Sequence, residues 1–221
     1  MARIANEIAT ELENVATLGL GSGSTIANLL AELSKIKDLK MPKVIPTSIQ
    51  IQIVAENLGF EIGAFFGRVD SVIDGADQID DELNLIKGGG GALLKEKVLM
   101  SSCRSRIIIA DEGKFASKLC MNSVKVPVEV YPFARESVKR KIIEIGGDPK
   151  ERLLPKGYPY FTENGNVILD TAFEPITNPK DIETQVKEIA GVLEVGIFTI
   201  KPMVAYKIKR DGSFDRKSSR M

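Results

Sequence analysis

Four short stretches of this chain bring together residue types that can do chemistry. The first is Gly19-Leu20-Gly21-Ser22-Gly23-Ser24-Thr25, at the end of an apolar run and before a helical pattern. Glycines let the backbone approach a ligand closely, and a helix N-terminus offers unsatisfied N–H groups and a partial positive charge. Ser22, Ser24 and Thr25 add hydroxyls, so Ser22, Gly23, Ser24 and Thr25 form a candidate anion site. The alternative is a tight turn with an N-cap serine. No lysine follows the last glycine, which excludes a nucleotide P-loop. G-x-G-x-x-G is not matched, and the next strand ends in Thr47-Ser48 rather than a ribose-binding acid, so a dinucleotide is disfavoured. A smaller phosphate ester fits better.

The second stretch is Asp74-Gly75-Ala76-Asp77, at the end of the strand pattern VDSVI. Carboxylates at the carboxyl end of a parallel strand face the ligand side of an α/β sheet. An Asp-Gly turn whose acids bind backbone N–H groups explains the same residues. Asp80, Asp81 and Glu82 follow, but their spacing does not fit a calcium loop, and a solvated acidic loop is the better reading. The third stretch runs from Lys87 through Gly88, Gly89, Gly90 and Gly91 to Glu96. Consecutive glycines cost chain entropy, which makes sense where backbone must wrap a ligand and feed a helix. Helical geometry turns Lys95 and Lys97 ~100° to either side of Glu96, which leaves Glu96 able to face inward. The alternative is a surface glutamate in a Lys-Glu-Lys patch. The fourth stretch, Asp111-Glu112-Gly113-Lys114, follows an apolar strand. Lys114 there either meets a phosphate or is a solvated lysine.

The composition narrows what these groups can do. The chain has no histidine, so a Ser-His-Asp triad, a Cys-His pair and His-ligated zinc are all excluded. Proton transfer falls to Asp, Glu, Lys, Tyr or a thiol. Lys+Arg and Asp+Glu are equal at 30 each, which argues against a general affinity for nucleic acid or an anionic membrane. No apolar run approaches the ~18–20 residues that span a bilayer. The N-terminal segment lacks the apolar block of a signal peptide. With two cysteines, Cys103 and Cys120, a disulfide framework is not expected, and the cytoplasm is the natural compartment.

These groups must be held by elements that the hydrophobic pattern predicts. Ile4, Ala5, Ile8, Leu12 and Val15 recur at helical spacing. Strands are expected at 15–20, 43–46, 69–73 and 105–110, with helices from Thr25, near 48–58 and over 91–101. This alternation predicts an α/β fold: a Rossmann-like, mainly parallel sheet covered by helices on both faces. The rhythm changes near Val126. A strand (VPVEV), a helix over 133–145, an irregular strand (ERLLP), a hairpin turning at Asn164-Gly165, a helix over 180–190 and a last strand (GVLEVGIF) make the ferredoxin-like order. The expected domains are 1–126 with 200–221, catalytic, and 127–199, small and α+β. MVAYKIK is expected at an edge of the first sheet, and the polar tail from Arg210 is expected to fray.

Taken in order, GSGST, DGAD, KGGGGALLKEK, ADEGK and VPVEVYPFA resemble the type A ribose-5-phosphate isomerase family, and ENGNVILD and GVLEVGIF extend the resemblance over nearly the whole chain. Gln78 departs from the acid expected after DGAD. The resemblance implies interconversion of D-ribose 5-phosphate and D-ribulose 5-phosphate through an enediolate, within the non-oxidative pentose phosphate pathway. It implies Glu96 as proton acceptor; because an enediolate carries negative charge, Lys87 is the candidate cation beside it, with Asp74 and Asp77 expected to handle hydroxyl protons. Substrate contacts are implied at Ser22, Gly23, Ser24, Thr25, Asp74, Gly75, Ala76, Asp77, Lys87, Gly88, Gly89, Gly90 and Lys114. It implies a homodimer or homotetramer, with no cofactor and no metal. Acyl-CoA transferases and sugar-phosphate-sensing transcription regulators share related folds. The first would need a CoA site, for which this chain is short. The second would carry a helix-turn-helix extension and basic charge, and neither is visible.

Overall fold

The computed structural model describes residues 1–201 and 203–219. In chain order it opens with α1 (Ala2–Glu11), β1 (Thr17–Leu20), α2 (Ser24–Leu33), β2 (Lys43–Pro46), α3 (Ile49–Asn57) and β3 (Val69–Asp74). Next come β4 (Gln78–Ile79), β5 (Leu85–Ile86), α4 (Leu93–Ser101) and β6 (Cys103–Asp111). They are followed by β7 (Val126–Val130), α5 (Arg135–Glu144), β8 (Asp148–Glu151), β9 (Val167–Ala172), α6 (Pro179–Lys187) and β10 (Val192–Val195). The chain closes with β11 (Ile197–Phe198), β12 (Val204–Ile208) and β13 (Phe214–Ser218). Two compact units result. One takes the described residues of Met1–Gly75, Lys95–Gly113 and Ile200–Met221, the other Ala76–Leu94 and Lys114–Thr199.

The first unit is built on a six-stranded sheet in the order β13-β12-β6-β3-β1-β2. Every neighbouring pair is parallel except β12 with β13. Its central strands are apolar almost continuously, as a strand covered on both faces requires: Leu18 and Leu20, Val72 and Ile73, and Ile107 to Ile109 are all buried. Ile4 and Ile8 of α1 and Leu12 at its C-cap, four residues apart, join Ile26, Leu30 and Leu33 of α2 in one core. Tyr206 of β12 belongs to that core, and its hydroxyl donates to Glu11. Burial, and then the Glu11 carboxylate, push the Tyr206 phenol up to about 12, so it stays a donor throughout the neutral range. This contact ties the last strands to the first helix.

The sheet departs from expectation at its end. β12 is not the edge, because residues assigned to a frayed tail form β13 and cover it in register from Val204↔Ser218 to Ile208↔Phe214. The reason is local. Gly212, at φ 79°, turns the chain, and the Asp211 carboxylate accepts from both the Ser213 N–H and its hydroxyl. Phe214 then packs edge-on to Tyr206 at 5.5 Å. Arg220 and Met221, the last residues of that expected tail, lie outside the described residues.

The second unit carries a four-stranded antiparallel sheet in the order β10-β7-β9-β8. With α5 and α6 between its strands, this is the ferredoxin-like arrangement. Its core gathers Val126, Val128, Val130, Val138, Ile142 and Leu169. The expected last strand, GVLEVGIF, is in fact two. Gly196 stands between β10 and β11 with room for no side chain, since a Cβ there would lie 2.4 Å from the Lys87 carbonyl. β11 leaves the four-stranded sheet and pairs with β5, completing a small sheet in the order β11-β5-β4. The turn at Asn164-Gly165 is present, with Gly165 at φ 77°. Its first arm shrinks to a single bridge, Phe161↔Val167, and the long partners of β9 are β7 and β8. The ERLLP segment is strand only at its first residue, Glu151, the end of β8.

That turn is polar because it feeds a buried acid. Glu129 of β7 is fully buried, and its Oε1 accepts from Thr162 Oγ1 (2.9 Å), Asn164 Nδ2 (3.0 Å) and Asn166 Nδ2 (2.9 Å). Cys103 and Cys120 are free thiols, both buried. Burial raises both above the usual thiol range, Cys120 to about 11, which keeps them protonated and unreactive at neutral pH.

Candidate active site

The parallel strands β2, β1, β3 and β6 end along one edge of the first sheet, and Ser22 to Thr25 and Asp74 lie at or just after the ends of β1 and β3. β1 runs into Gly21, whose N–H donates to the Ile73 carbonyl of β3 at 2.9 Å. The chain then turns through Ser22 and Gly23 into α2. Gly23 is the N-cap, at φ 100°, and has no side chain with which to cap the helix. Its own N–H donates to Gln50 Oε1 at 3.0 Å. Ser22 Oγ lies 2.9 Å from Thr47 Oγ1 and donates to Ser48 Oγ at 2.7 Å. Thr47 Oγ1 in turn donates to the Leu20 carbonyl. The loop is therefore braced from the end of β2, while Ser24 stays exposed and Thr25 half-buried. Thr47, Ser48 and Gln50 were not singled out from the sequence as part of this loop. Their signal was the run of short polar side chains directly after β2.

Asp74 ends β3 and is fully buried. The Gly75 N–H donates to its Oδ1 at 2.7 Å. The carboxylate occupies the space a side chain at position 21 would need: a Cβ on Gly21 would fall 1.7 Å from Asp74 Oδ1. The glycine-serine turn and the first acid of DGAD are thus packed against each other, and Gly21 is what permits it. Glu96 lies in the first turn of α4, 4% exposed. Lys97 beside it is buried too, at 8%, and Lys95 is half-buried, so no exposed Lys-Glu-Lys patch exists.

The second unit holds the rest. Asp77, half-buried, accepts the Gly89 N–H on Oδ2 at 2.8 Å. The second acid of DGAD is thereby fastened to the glycine run, with Ala76 half-buried before it. Lys87 is 3% exposed, with its ammonium 5.7 Å from the centre of the Phe198 ring and its N–H donating to the Gly196 carbonyl. Gly88 and Gly91 take φ of 107° and 82°, backbone that other residues rarely adopt. Gly89 and Gly90 are exposed. Gln78, in place of the expected acid, is buried and donates from Nε2 to the Met121 carbonyl at 2.8 Å. Asp80 is not solvated. It is buried and closes a turn, accepting the N–H groups of Glu82 and Asn84 and the Asn84 amide. Lys114 ends a single 3₁₀ turn after β6 and is exposed.

The family described as ribose 5-phosphate isomerase A (phosphoriboisomerase A) matches residues 43–212, most of the chain. The chain belongs to that family. The isomerase A of Korarchaeum cryptofilum (strain OPF8) is 44% identical over 197 residues, covering 88% of this chain and 87% of that protein. A ribose 5-phosphate isomerase from Plasmodium falciparum has the same fold at a TM-score of 0.88, with 34% identity and full coverage of both chains. A D-ribose-5-phosphate isomerase solved in complex with phospho-erythronic acid superposes at a TM-score of 0.89, with 31% identity over 98% of this chain and 96% of that one. Within an isomerase A fold, the Gly21–Asp74 packing and the Asp77–Gly89 bond account for two of the glycine clusters that mark the sequence.

Proposed function

We propose that this chain interconverts D-ribose 5-phosphate and D-ribulose 5-phosphate, with Glu96 as the proton-transfer base. The observation that carries this reading is a buried carboxylate in the first turn of α4, directly after the glycine run, in a chain that has no histidine to offer instead. Glu96 takes the proton from C2 of the open-chain aldose, leaving an enediolate. It returns that proton to C1, while the O2 proton is lost and O1 gains one. Lys87 and the glycine-loop N–H groups supply fixed positive charge for the enediolate, and their greatest effect is on the transition state. Asp74 and Asp77 move hydroxyl protons, including those of ring opening. The phosphate is gripped by Ser22 to Thr25, with Lys114 adding charge, so that its binding energy positions the carbon centre.

The relative's ligand supports this choice of substrate. Phospho-erythronic acid is a sugar-acid phosphate, of the same chemical class as the proposed substrate. The proposed chemistry runs on side chains alone, so a coupled assay on ribose 5-phosphate in the presence of a chelator tests substrate, reaction and metal independence together. Full turnover is expected, and none would remove the reading. We also propose a cytoplasmic homodimer or homotetramer that binds neither membrane nor nucleic acid. Among the described residues no helix is long and apolar enough to cross a membrane. Phe133, 91% exposed, and Tyr131, 57% exposed, leave large apolar side chains open to solvent, in keeping with an assembly.

A further inference from the structure

The glycine run is held from behind by a residue with no place in the mechanism above. Arg152 follows β8, and its Nη1 donates to two successive carbonyls, Gly88 O and Gly89 O, each at 2.9 Å. The other side of the guanidinium is spent on one carboxylate: Nε donates to Asp170 Oδ2 at 2.9 Å and Nη2 to Oδ1 at 2.5 Å. Such a two-pronged pair fixes the plane of the guanidinium as well as its position. Arg152 is 15% exposed and Asp170 25%, so water screens this pair less than a surface one. The next carbonyl, Gly90 O, accepts from the Tyr160 hydroxyl at 3.1 Å. The Tyr160 ring lies 5.6 Å from the Arg152 guanidinium, and its N–H donates to the Arg152 carbonyl. Three consecutive glycine carbonyls are thus taken by two side chains from the α+β unit.

A trans peptide aims its N–H opposite to its C=O. Fixing the carbonyls of Gly88 and Gly89 on the Arg152 side therefore fixes the N–H groups of Gly89 and Gly90 on the other side, while the Gly91 N–H turns back to Gly88 O at 3.0 Å. One of these, from Gly89, is the donor that holds Asp77. Glycine backbone is the least able to hold such an orientation by itself. We propose that Arg152, clamped by Asp170, is a positioning residue for the isomerisation: it sets the peptide planes of the glycine run so that the Gly90 N–H and Asp77, held by the Gly89 N–H, meet the sugar. This rests on the assignment of Gly88 to Gly90 and Asp77 as substrate contacts. Lysine cannot replace it, since an ammonium cannot bind both carboxylate oxygens and two carbonyls in one plane.

The test compares Arg152→Ala, Arg152→Lys and Tyr160→Phe with the intact enzyme on ribose 5-phosphate, with folded fraction and Tm measured alongside. Arg152→Ala is expected to lower kcat/KM per folded molecule at least ~10-fold, with KM raised, because a misaligned loop weakens both binding and chemistry. Guanidinium ion at tens of millimolar should restore part of that loss, and Arg152→Lys should restore less. A purely structural arginine would lower activity only in step with the folded fraction, with KM unchanged and no gain from guanidinium, and that result overturns the proposal. If Arg152→Ala does not fold, Tyr160→Phe decides, because it deletes one donor to Gly90 and keeps the ring. A raised KM at unchanged Tm supports the clamp, and wild-type constants overturn it. Absence of turnover in the intact enzyme would instead sink the isomerase reading, which keeps the two failures apart.

Discussion

A methyl group placed on Gly21 would land inside the Asp74 carboxylate, and that collision is the most local consequence of the site's construction. The side chain that would have to yield is buried and anchored by the Gly75 N–H, so there is no cheap relaxation. Gly21→Ala should cost about 1–3 kcal/mol of stability, the usual range for overpacking, and displace Asp74 as well. We expect a lower Tm and a loss in kcat/KM of at least ~10-fold, read by thermal melts and the coupled assay. Gly75 is the control, since a Cβ there has its nearest neighbour at 3.8 Å, and Gly75→Ala should melt close to wild type. The residue types of this corner were legible as a glycine turn and a terminal acid. Their mutual contact was not, because it joins the ends of two strands about fifty residues apart in sequence and depends on β1 and β3 being neighbours. Likewise the spacing let Glu96 face inward but left the Lys-Glu-Lys patch open, and only burial separates the two.

At the scale of elements, the entry to β1 is held by a carboxylate of β3. Asp70 Oδ2 accepts the N–H groups of Ala16 and Thr17 and the Thr17 hydroxyl, while its own N–H donates to Thr17 Oγ1. Hydrogen bonds from Thr17, backbone first and then side chain, hold the Asp70 carboxyl below its ordinary 3.8. A carboxyl depressed in the folded state stabilises above its unfolded pKa, and that contribution fades as pH falls through the folded value. Asp70→Asn should therefore lose about 1 kcal/mol in urea unfolding at pH 7. The gap to wild type should close below pH 3.8. A gap that stayed constant down to strongly acid pH would contradict the assignment. Elements with a strong period, such as α1 and the apolar strands, were plain in the sequence. The missed ones have two causes: β10 and β11 part at a glycine wedged against the Lys87 carbonyl, and β13 forms where the Asp211-Gly212 turn folds the chain back on β12 and Phe214 meets Tyr206.

Across the whole molecule, the ferredoxin-like order and the parallel sheet could be read from short apolar strands alternating with segments of helical spacing. What the order of elements could not reveal is that the α+β unit supplies the side chains holding the glycine run, because Arg152 and Tyr160 sit in segments with no motif. A chain with no histidine and two buried, protonated thiols leaves carbon-bound proton transfer to Asp, Glu, Lys or Tyr, and our proposal gives it to Glu96, buried directly after that run. The measurement that bears most directly on this is turnover by Glu96→Gln, which keeps the shape of the side chain and removes its basicity. At saturating ribose 5-phosphate the variant should turn over at least ~100-fold more slowly than wild type, with an unchanged melting profile. A folded Glu96→Gln enzyme working at near wild-type rate would contradict the account.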